Sequence, residues 1–261
     1  YYVRYEADCG TTTCASTTVT LKTASVAPTS AAASPTAICS GATSTLTYAG
    51  GSLGTGAVAR WYTGSCGGSL AGTGNNLSVS PTATTTYYVR YEGDCNTTTC
   101  ASTTVTLKTA PVAPTGASAS ASPVCPGGPT NLTYTGGTLG TGGVARWYTG
   151  SCGGSLVGTG NNLTVSPTAQ TTYYVRFEAD CGTTTCASTM VTMKTPPVAP
   201  TSAAASPTAI CSGASSTLTY AGGTIGTNGV ARWYTGSCGG SLVGSGNSLS
   251  VSPTATTTYY V

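Results

Sequence analysis

Apolar positions along the chain alternate with polar ones over short runs, and Gly, Asn and Pro punctuate those runs. A period of two belongs to half-buried β-strands; no 3.6-residue period survives beyond a turn, so helices are not expected. Between residues 26 and 111 the pattern predicts strands near Ser30–Ile38, at Ser44–Ala49, at Val58–Thr63, near Leu77–Ser80, at Thr86–Glu92 and at Cys100–Lys108. A short further strand is expected near Ser69–Gly72. Alternation turns Leu46, Tyr48, Ala59, Trp61, Leu77, Val79, Tyr87, Val89, Tyr91, Val105 and Leu107 inward. It turns Val58, Arg60, Tyr62, Tyr88, Arg90 and Glu92 outward. Six or seven short strands in so few residues predict a small antiparallel β-sandwich. A Trp facing a Tyr-rich strand is a core of immunoglobulin-like type. The fold class expected is all-β, with tandem immunoglobulin-like antiparallel β-sandwich domains arranged as beads on a string.

The pattern recurs. Tyr1-Tyr2-Val3 returns at Tyr87-Tyr88-Val89, Tyr173-Tyr174-Val175 and Tyr259-Tyr260-Val261, a period of 86 residues. Roughly three-quarters of positions match between residues 24–109 and 110–195. Such a unit is long enough to hold its own core, near the size at which disulfides become useful. Pro-containing stretches at Val26–Pro28, Pro111–Pro114 and Pro196–Pro200 read as short, stiff linkers. The expected division is residues 1–25 as the last two strands of one repeat, 26–111 and 112–197 as two complete repeats, and 198–261 as the front of another. That division predicts a window of a longer repeating chain, or one repeat of a filament.

Composition narrows the function classes. Charged residues make up 6%, and histidine is absent. The commonest general base is therefore missing, and the six acidic residues give few carboxylate pairs. An enzyme is not expected, and no cofactor is implied. A net charge of +3 is too weak and diffuse for a nucleic-acid footprint. No apolar run reaches the ~18 residues of a membrane span, and no leading segment reads as a signal peptide.

Each repeat carries four cysteines, an even count that points to disulfides and an oxidising, extracellular compartment. The disulfide residues are Cys9, Cys14, Cys39, Cys66, Cys95, Cys100, Cys125, Cys152, Cys181, Cys186, Cys211 and Cys238. Up-and-down strands would place Cys39 and Cys66 at one end of a repeat and Cys95 and Cys100 at the other. The expected pairs are thus Cys39–Cys66 and Cys95–Cys100. The rival reading is a four-thiolate zinc site, which the Cys95-x4-Cys100 spacing allows loosely. Glu92 and Asp94 could be a calcium or acid/base pair, but the expected role is an exposed strand end with Glu92 paired to Arg60 or Arg90. The Gly50–Gly56 run lacks the helix and lysine of a phosphate loop and reads as an inter-strand loop. Asn-x-Thr/Ser patterns at Asn76, Asn96 and Asn131 arise readily in a Thr-rich chain. Gly10, Asn96 and Gly182 mark the turn before the last strand, where a positive φ is expected.

The outward face formed by Arg60, Tyr62, Tyr88 and Arg90 is the candidate adhesive surface, repeated in every bead. The plainer reading is a solvated sheet face with cross-strand pairs.

The stretch Val58–Gly68, then Val79–Thr82, Thr84–Arg90 and Cys95–Ala101, resembles a family: the immunoglobulin-like repeat domains of surface and secreted proteins of Bacteroidota. Those repeats accompany the gliding-motility-associated C-terminal module and are similar to repeats of giant gliding adhesins. The resemblance implies a cell-surface or extracellular location and export by the type 9 secretion system. It supplies no catalytic residues. The function expected is a structural and adhesive extracellular fibre, with neighbouring repeats, identical chains and surface glycans as partners. The alternative is a carbohydrate-binding or spacer array of a secreted polysaccharide-degrading enzyme, with Tyr62 and Tyr88 stacking on sugars. A third reading has residues 1–25 of one chain donating strands to residues 198–261 of another; a continuous chain is preferred.

Overall fold

The computed structural model describes all 261 residues, and every regular element in it is a β-strand. By their contacts the residues fall into two compact units. The first holds 1–112 with 139–143 and 178–183; the second holds 113–138, 144–177 and 184–261.

In the first unit, the complete repeat has eight strands. They are β1 (Ser30–Ser34), β2 (Ala37–Ile38), β3 (Ser44–Ala49), β4 (Val58–Thr63), β5 (Ser69–Thr73), β6 (Leu77–Val79), β7 (Thr85–Glu92) and β8 (Ala101–Leu107). One sheet has the order β6-β3-β1, and the other β2-β8-β7-β4-β5. All pairs are antiparallel except β2 with β8. The first predicted strand is divided because Pro35 has no N–H to donate to a ladder. Its two halves then join different sheets, which ties the sandwich together along that edge.

The inward set is the one that alternation predicts. Leu46, Trp61, Val89 and Val105 have no exposed surface, and Ala59, Tyr87 and Tyr91 are buried beside them. Tyr48, Leu77, Val79 and Leu107 are half-buried against that core. The indole of Trp61 donates from Nε1 to the Gly74 carbonyl at 3.0 Å, so its one polar atom is satisfied. Tyr48 meets the edge of Tyr91 at 5.5 Å between ring centres.

Residues 1–25 form two small strand pairs, Tyr2–Val3 with Ala15–Ser16 and Glu6–Ala7 with Gly10–Thr11. They follow the register of β7 and β8, and every residue through Ala24 is exposed.

The second unit repeats the plan. Gly116–Ala119, Thr130–Thr135 and Leu163–Val165 make one sheet. Val144–Thr149, Ser155–Thr159, Thr171–Ala179 and Ala187–Val191 belong to the other. Trp147, Leu132, Val175 and Val191 are its fully buried centre. Residues 198–261 build the same start, with Trp233, Leu218 and Val251 buried, and reach only Tyr259–Tyr260 of the penultimate strand. The core side of that partial repeat stays open as a groove of about 470 Å³ lined by Ala205, Ile210, Leu218, Val251 and Tyr259, among others.

Candidate functional site

Two places in the first unit gather the chain's scarce charges and cysteines: the outer face of the β4–β7 pair, and the junction at which one repeat meets the next.

On the outer face, cross-strand register sets Tyr62 opposite Tyr88 and Arg60 opposite Arg90. Tyr62 donates its hydroxyl to Glu92, and the Arg90 guanidinium lies over the Tyr62 ring at 5.0 Å. Arg90 Nε donates to Glu92 Oε1 at 2.8 Å, and Arg60 Nε lies 3.2 Å from Glu92 Oε2. Glu92 therefore pairs with both arginines, as the exposed-strand-end reading expects. The hydrogen bond from Tyr62 holds the Glu92 carboxyl below the usual glutamate range; burial opposes it, and Arg90 and then Arg60 add to the lowering. Burial first, then the bond to Glu92, pushes the Tyr62 phenol up.

Tyr62 is buried, not an exposed stacking platform. The reason is the turn after β4. Ser65–Gly68 folds back over the sheet, and a Cβ added at Gly67 would stand 2.6 Å from Arg90 Nη1. That turn carries Cys66 across the face to Cys100, at the head of β8. Arg60, Tyr88 and Arg90 remain partly exposed around the clip. The same bridge joins Cys152 to Cys186 in the second unit, where Arg176 lies over Tyr148 at 5.0 Å.

The expected pairs Cys39–Cys66 and Cys95–Cys100 are not formed. The bridges are Cys66–Cys100, Cys152–Cys186 and Cys39–Cys181. Two geometrical facts defeat the expectation. The turn bearing Cys66 curls over the sheet face instead of staying at the sandwich end. The β7–β8 hairpin continues past Glu92, with Glu92 opposite Thr97 and Thr98 N donating to Tyr91 O, so Cys95 sits at the tip while Cys100 is already level with Arg90. No three of the Cys, Asp and Glu side chains come together as a metal site.

The junction explains the third bridge. Lys22, just after the strands of residues 1–25, reaches Asp94 at the next hairpin tip, Nζ to Oδ2 2.9 Å. That carboxylate, by its hydrogen bond and its charge, holds Lys22 above the ordinary lysine range. Thr23 N donates to Thr55 Oγ1 at 2.9 Å, and Thr55 N returns a bond to Thr23 O at 2.9 Å. Val26 pairs with Ser52, and Gly51 lies so close that a Cβ would stand 2.3 Å from Ala27 O. With φ at +67°, only glycine fits there without strain. One repeat later, also inside the first unit, Lys108 reaches Asp180 at 2.9 Å and Thr109 exchanges the same bonds with Thr141. Cys39 directly follows β2, whose Ile38 O accepts from Lys108 N, and so lies where the tip carrying Asp180 and Cys181 arrives. In the second unit Thr195 clasps Thr227 in the same way.

One variation was legible in the sequence. Ser25 N donates to Asn96 Oδ1 at 2.8 Å, and Asn96 Nδ2 donates back to Ser25 O at 3.0 Å. At the next junction Pro111 stands for Ser25 and Gly182 for Asn96. Proline has no N–H to satisfy, so the amide acceptor is dispensable. The two exchanges, 71 residues apart, report a contact from the chain's own repeats.

The model of one family, described as Ig-like domain CHU_C associated, matches residues 26–114, 111–196 and 197–261. The chain belongs to the CHU_C-associated Ig-like domain family. These CHU_C-associated matches bear out the resemblance read from the repeats and the immunoglobulin-like class of the fold. No curated protein matches the chain. Among solved structures it is similar to the three N-terminal domains of the bacteriophage RB49 highly immunogenic outer capsid protein (Hoc), at 14% identity over 90% of each chain, with a TM-score of 0.40. It is also similar to the FN1–FN3 domains of chicken CNTN1, at 13% identity over 83% of this chain and 82% of that one, with a TM-score of 0.26. Tandem CHU_C-associated Ig-like domains are the mark of a structural or adhesive repeat protein, and such domains are typically non-catalytic. The disulfides are consistent with an extracellular protein, and no helix is long and apolar enough to cross a membrane.

Proposed function

We propose that this chain is part of a structural and adhesive extracellular fibre, built from 86-residue immunoglobulin-like repeats. The observation that carries the reading is the junction. The end of one repeat is clasped by the loop and hairpin tip of the next through the same Lys–Asp and Thr–Thr contacts, 72 and 32 residues apart, at Lys22/Thr23 and again at Lys108/Thr109. A joint repeated in this way gives a thread of defined direction, in contrast to freely swivelling beads. Each repeat would advance the thread by roughly 30–40 Å, from strands of about eight residues at ~3.3 Å each plus turns. The boundaries 26–111 and 112–197 describe the units of that thread. Low charge, paired cysteines and the family suit display outside a Bacteroidota cell, with export by the type 9 system.

The partly exposed Arg60, Tyr88 and Arg90 are the proposed contact groups of each bead, multiplied by repetition. The carbohydrate-stacking alternative is weaker, because Tyr62 lies under Arg90 and is not available to a sugar ring. Negative-stain electron microscopy tests the fibre directly. Thin threads with a 30–40 Å bead spacing are expected, and globular aggregates would refute it.

A further inference from the structure

Cys39–Cys181 differs in kind from the other bridges. Cys66–Cys100 and Cys152–Cys186 each span 34 residues, while Cys39–Cys181 spans 142. Its ends bracket the sandwich of the first complete repeat. Cys39 lies between β2 and β3, so β3 through β8 all fall inside the loop that the bridge closes. The shortest covalent route along the chain therefore runs from residue 39 directly to residue 181. Cys66–Cys100 sits wholly inside that loop, and Cys152–Cys186 overlaps its far end. Every peptide bond from residue 39 to residue 186 is thus spanned by at least one bridge.

We propose that Cys39–Cys181 is a load strap. It carries tension covalently past the core of the repeat, and it keeps the chain joined when a peptide bond inside the loop is cut. The non-covalent members of the joint can do neither. Lys108 and Asp180 form an exposed ion pair, and such pairs contribute little. The bonds between Thr109 and Thr141 are open to competition from water. A disulfide yields only to chemistry.

The placement of Cys39 argues the same way. A bridge that served only the sandwich would close within one repeat, as Cys66–Cys100 does. Cys39 instead meets the hairpin tip of the next repeat, beside Lys108 and Asp180, inside the first unit. That is where a pull passes from one repeat to the next. The loop also holds the segments most open to nicking. Residues 51–53 and 125–127 are exposed and contain glycine, and exposed tips of small residues are where proteases cut first.

The source of the tension rests on the fibre reading, but the strap is tested apart from it. A site for a sequence-specific protease is inserted into the whole chain between Gly128 and Pro129. That cut lies inside the Cys39–Cys181 loop and outside both 34-residue rings. The exposed free thiols are first capped by alkylation. After cleavage, one species of full mass is expected under non-reducing, denaturing conditions. A dithiol is expected to split it into two fragments. The dithiol gives two electrons and two protons to each bridge and leaves as its own disulfide. Cys181→Ser, once cut, is expected to fall apart without reductant, while Cys66→Ser stays joined. Amide exchange over 44–107 is expected to stay slow in Cys181→Ser, because the sandwich keeps its own bridge. Fast exchange there would make Cys39–Cys181 a fold staple and overturn the strap.

Pulling the uncut chain by its two ends gives a second readout. Reduction is expected to lengthen the fully unfolded chain by about 500 Å, from 142 residues at up to ~3.6 Å each. Separation without reductant, or no such lengthening, overturns the proposal. Threads built from a chain that one cut separates would leave the fibre reading standing and refute the strap. A strap without threads would refute the fibre and leave the covalent bypass standing.

Discussion

Lys108 and Asp180 lie 72 residues apart in sequence and 2.9 Å apart in space, the same separations that relate Lys22 to Asp94. Charged side chains are few in this chain, so their placement at equivalent junctions matters more than the strength of either pair. Exposed ion pairs contribute little by themselves. What they mark is a joint whose other members are backbone bonds between Thr23 and Thr55 and between Thr109 and Thr141. Such bonds fix an orientation that side chains alone would leave loose.

The Ser25–Asn96 contact gives a directional test of that joint. Asn96→Gly removes the acceptor of a buried N–H and is expected to destabilise the first unit by about 1–3 kcal/mol. Adding Ser25→Pro removes the N–H itself and is expected to recover much of the loss, since Pro111 and Gly182 already coexist at the next junction. A double-mutant cycle by urea unfolding measures the coupling, and additive losses would contradict the contact.

Cys66→Ser and Cys100→Ser are expected to have the same effect, because they remove one bridge. Opening a 34-residue ring costs roughly 3–4 kcal/mol by loop-closure entropy. Hydrogen exchange should rise over 58–73 and 85–107 and stay low in residues 144–177. A non-reducing peptide map should show Cys66 linked to Cys100; a link from Cys66 to Cys39 would contradict the geometry.

Glu92 predicts an acid-sensitive step. Its folded pKa is depressed by Tyr62 and the arginines, so its stabilisation is present above the ordinary glutamate value of about 4.5 and is lost as the pH falls below it. The urea midpoint of the first complete repeat should therefore drop between pH 6 and pH 3. Glu92→Gln should lower the midpoint at pH 6 and flatten that part of the dependence.

Trp61→Ala should be the most damaging single change in the first complete repeat, about 3–5 kcal/mol for a buried indole. Trp61→Phe should cost less, keeping the packing while freeing the Gly74 carbonyl. Amide exchange read repeat by repeat separates these effects from the rest of the chain. Equal losses for the two variants would mean that packing contributes little there.

Strand positions, the inward face and the Trp61 core were legible because they depend on neighbours two residues apart and on burial of apolar surface, both local properties of the pattern. The Glu92–arginine cluster was legible for the same reason, since cross-strand register follows from alternation. The burial of Tyr62 was not. It depends on where the Ser65–Gly68 turn goes after leaving its strand, and alternation stops at the strand end. The Asn96 contact left a trace only as the paired exchange of Ser25 and Asn96 for Pro111 and Gly182.

The sequence by itself determined an all-β chain, its 86-residue period, its core residues and an even cysteine count per repeat. Only the tertiary structure decided which sulfurs meet. Four cysteines per repeat look self-sufficient when each repeat is taken as closed, yet Cys39 bonds Cys181 of the next. A disulfide forms where backbone positions converge. Convergence across 142 residues is set by how a hairpin tip docks on the repeat before it, which no local pattern of hydrophobic and polar residues encodes.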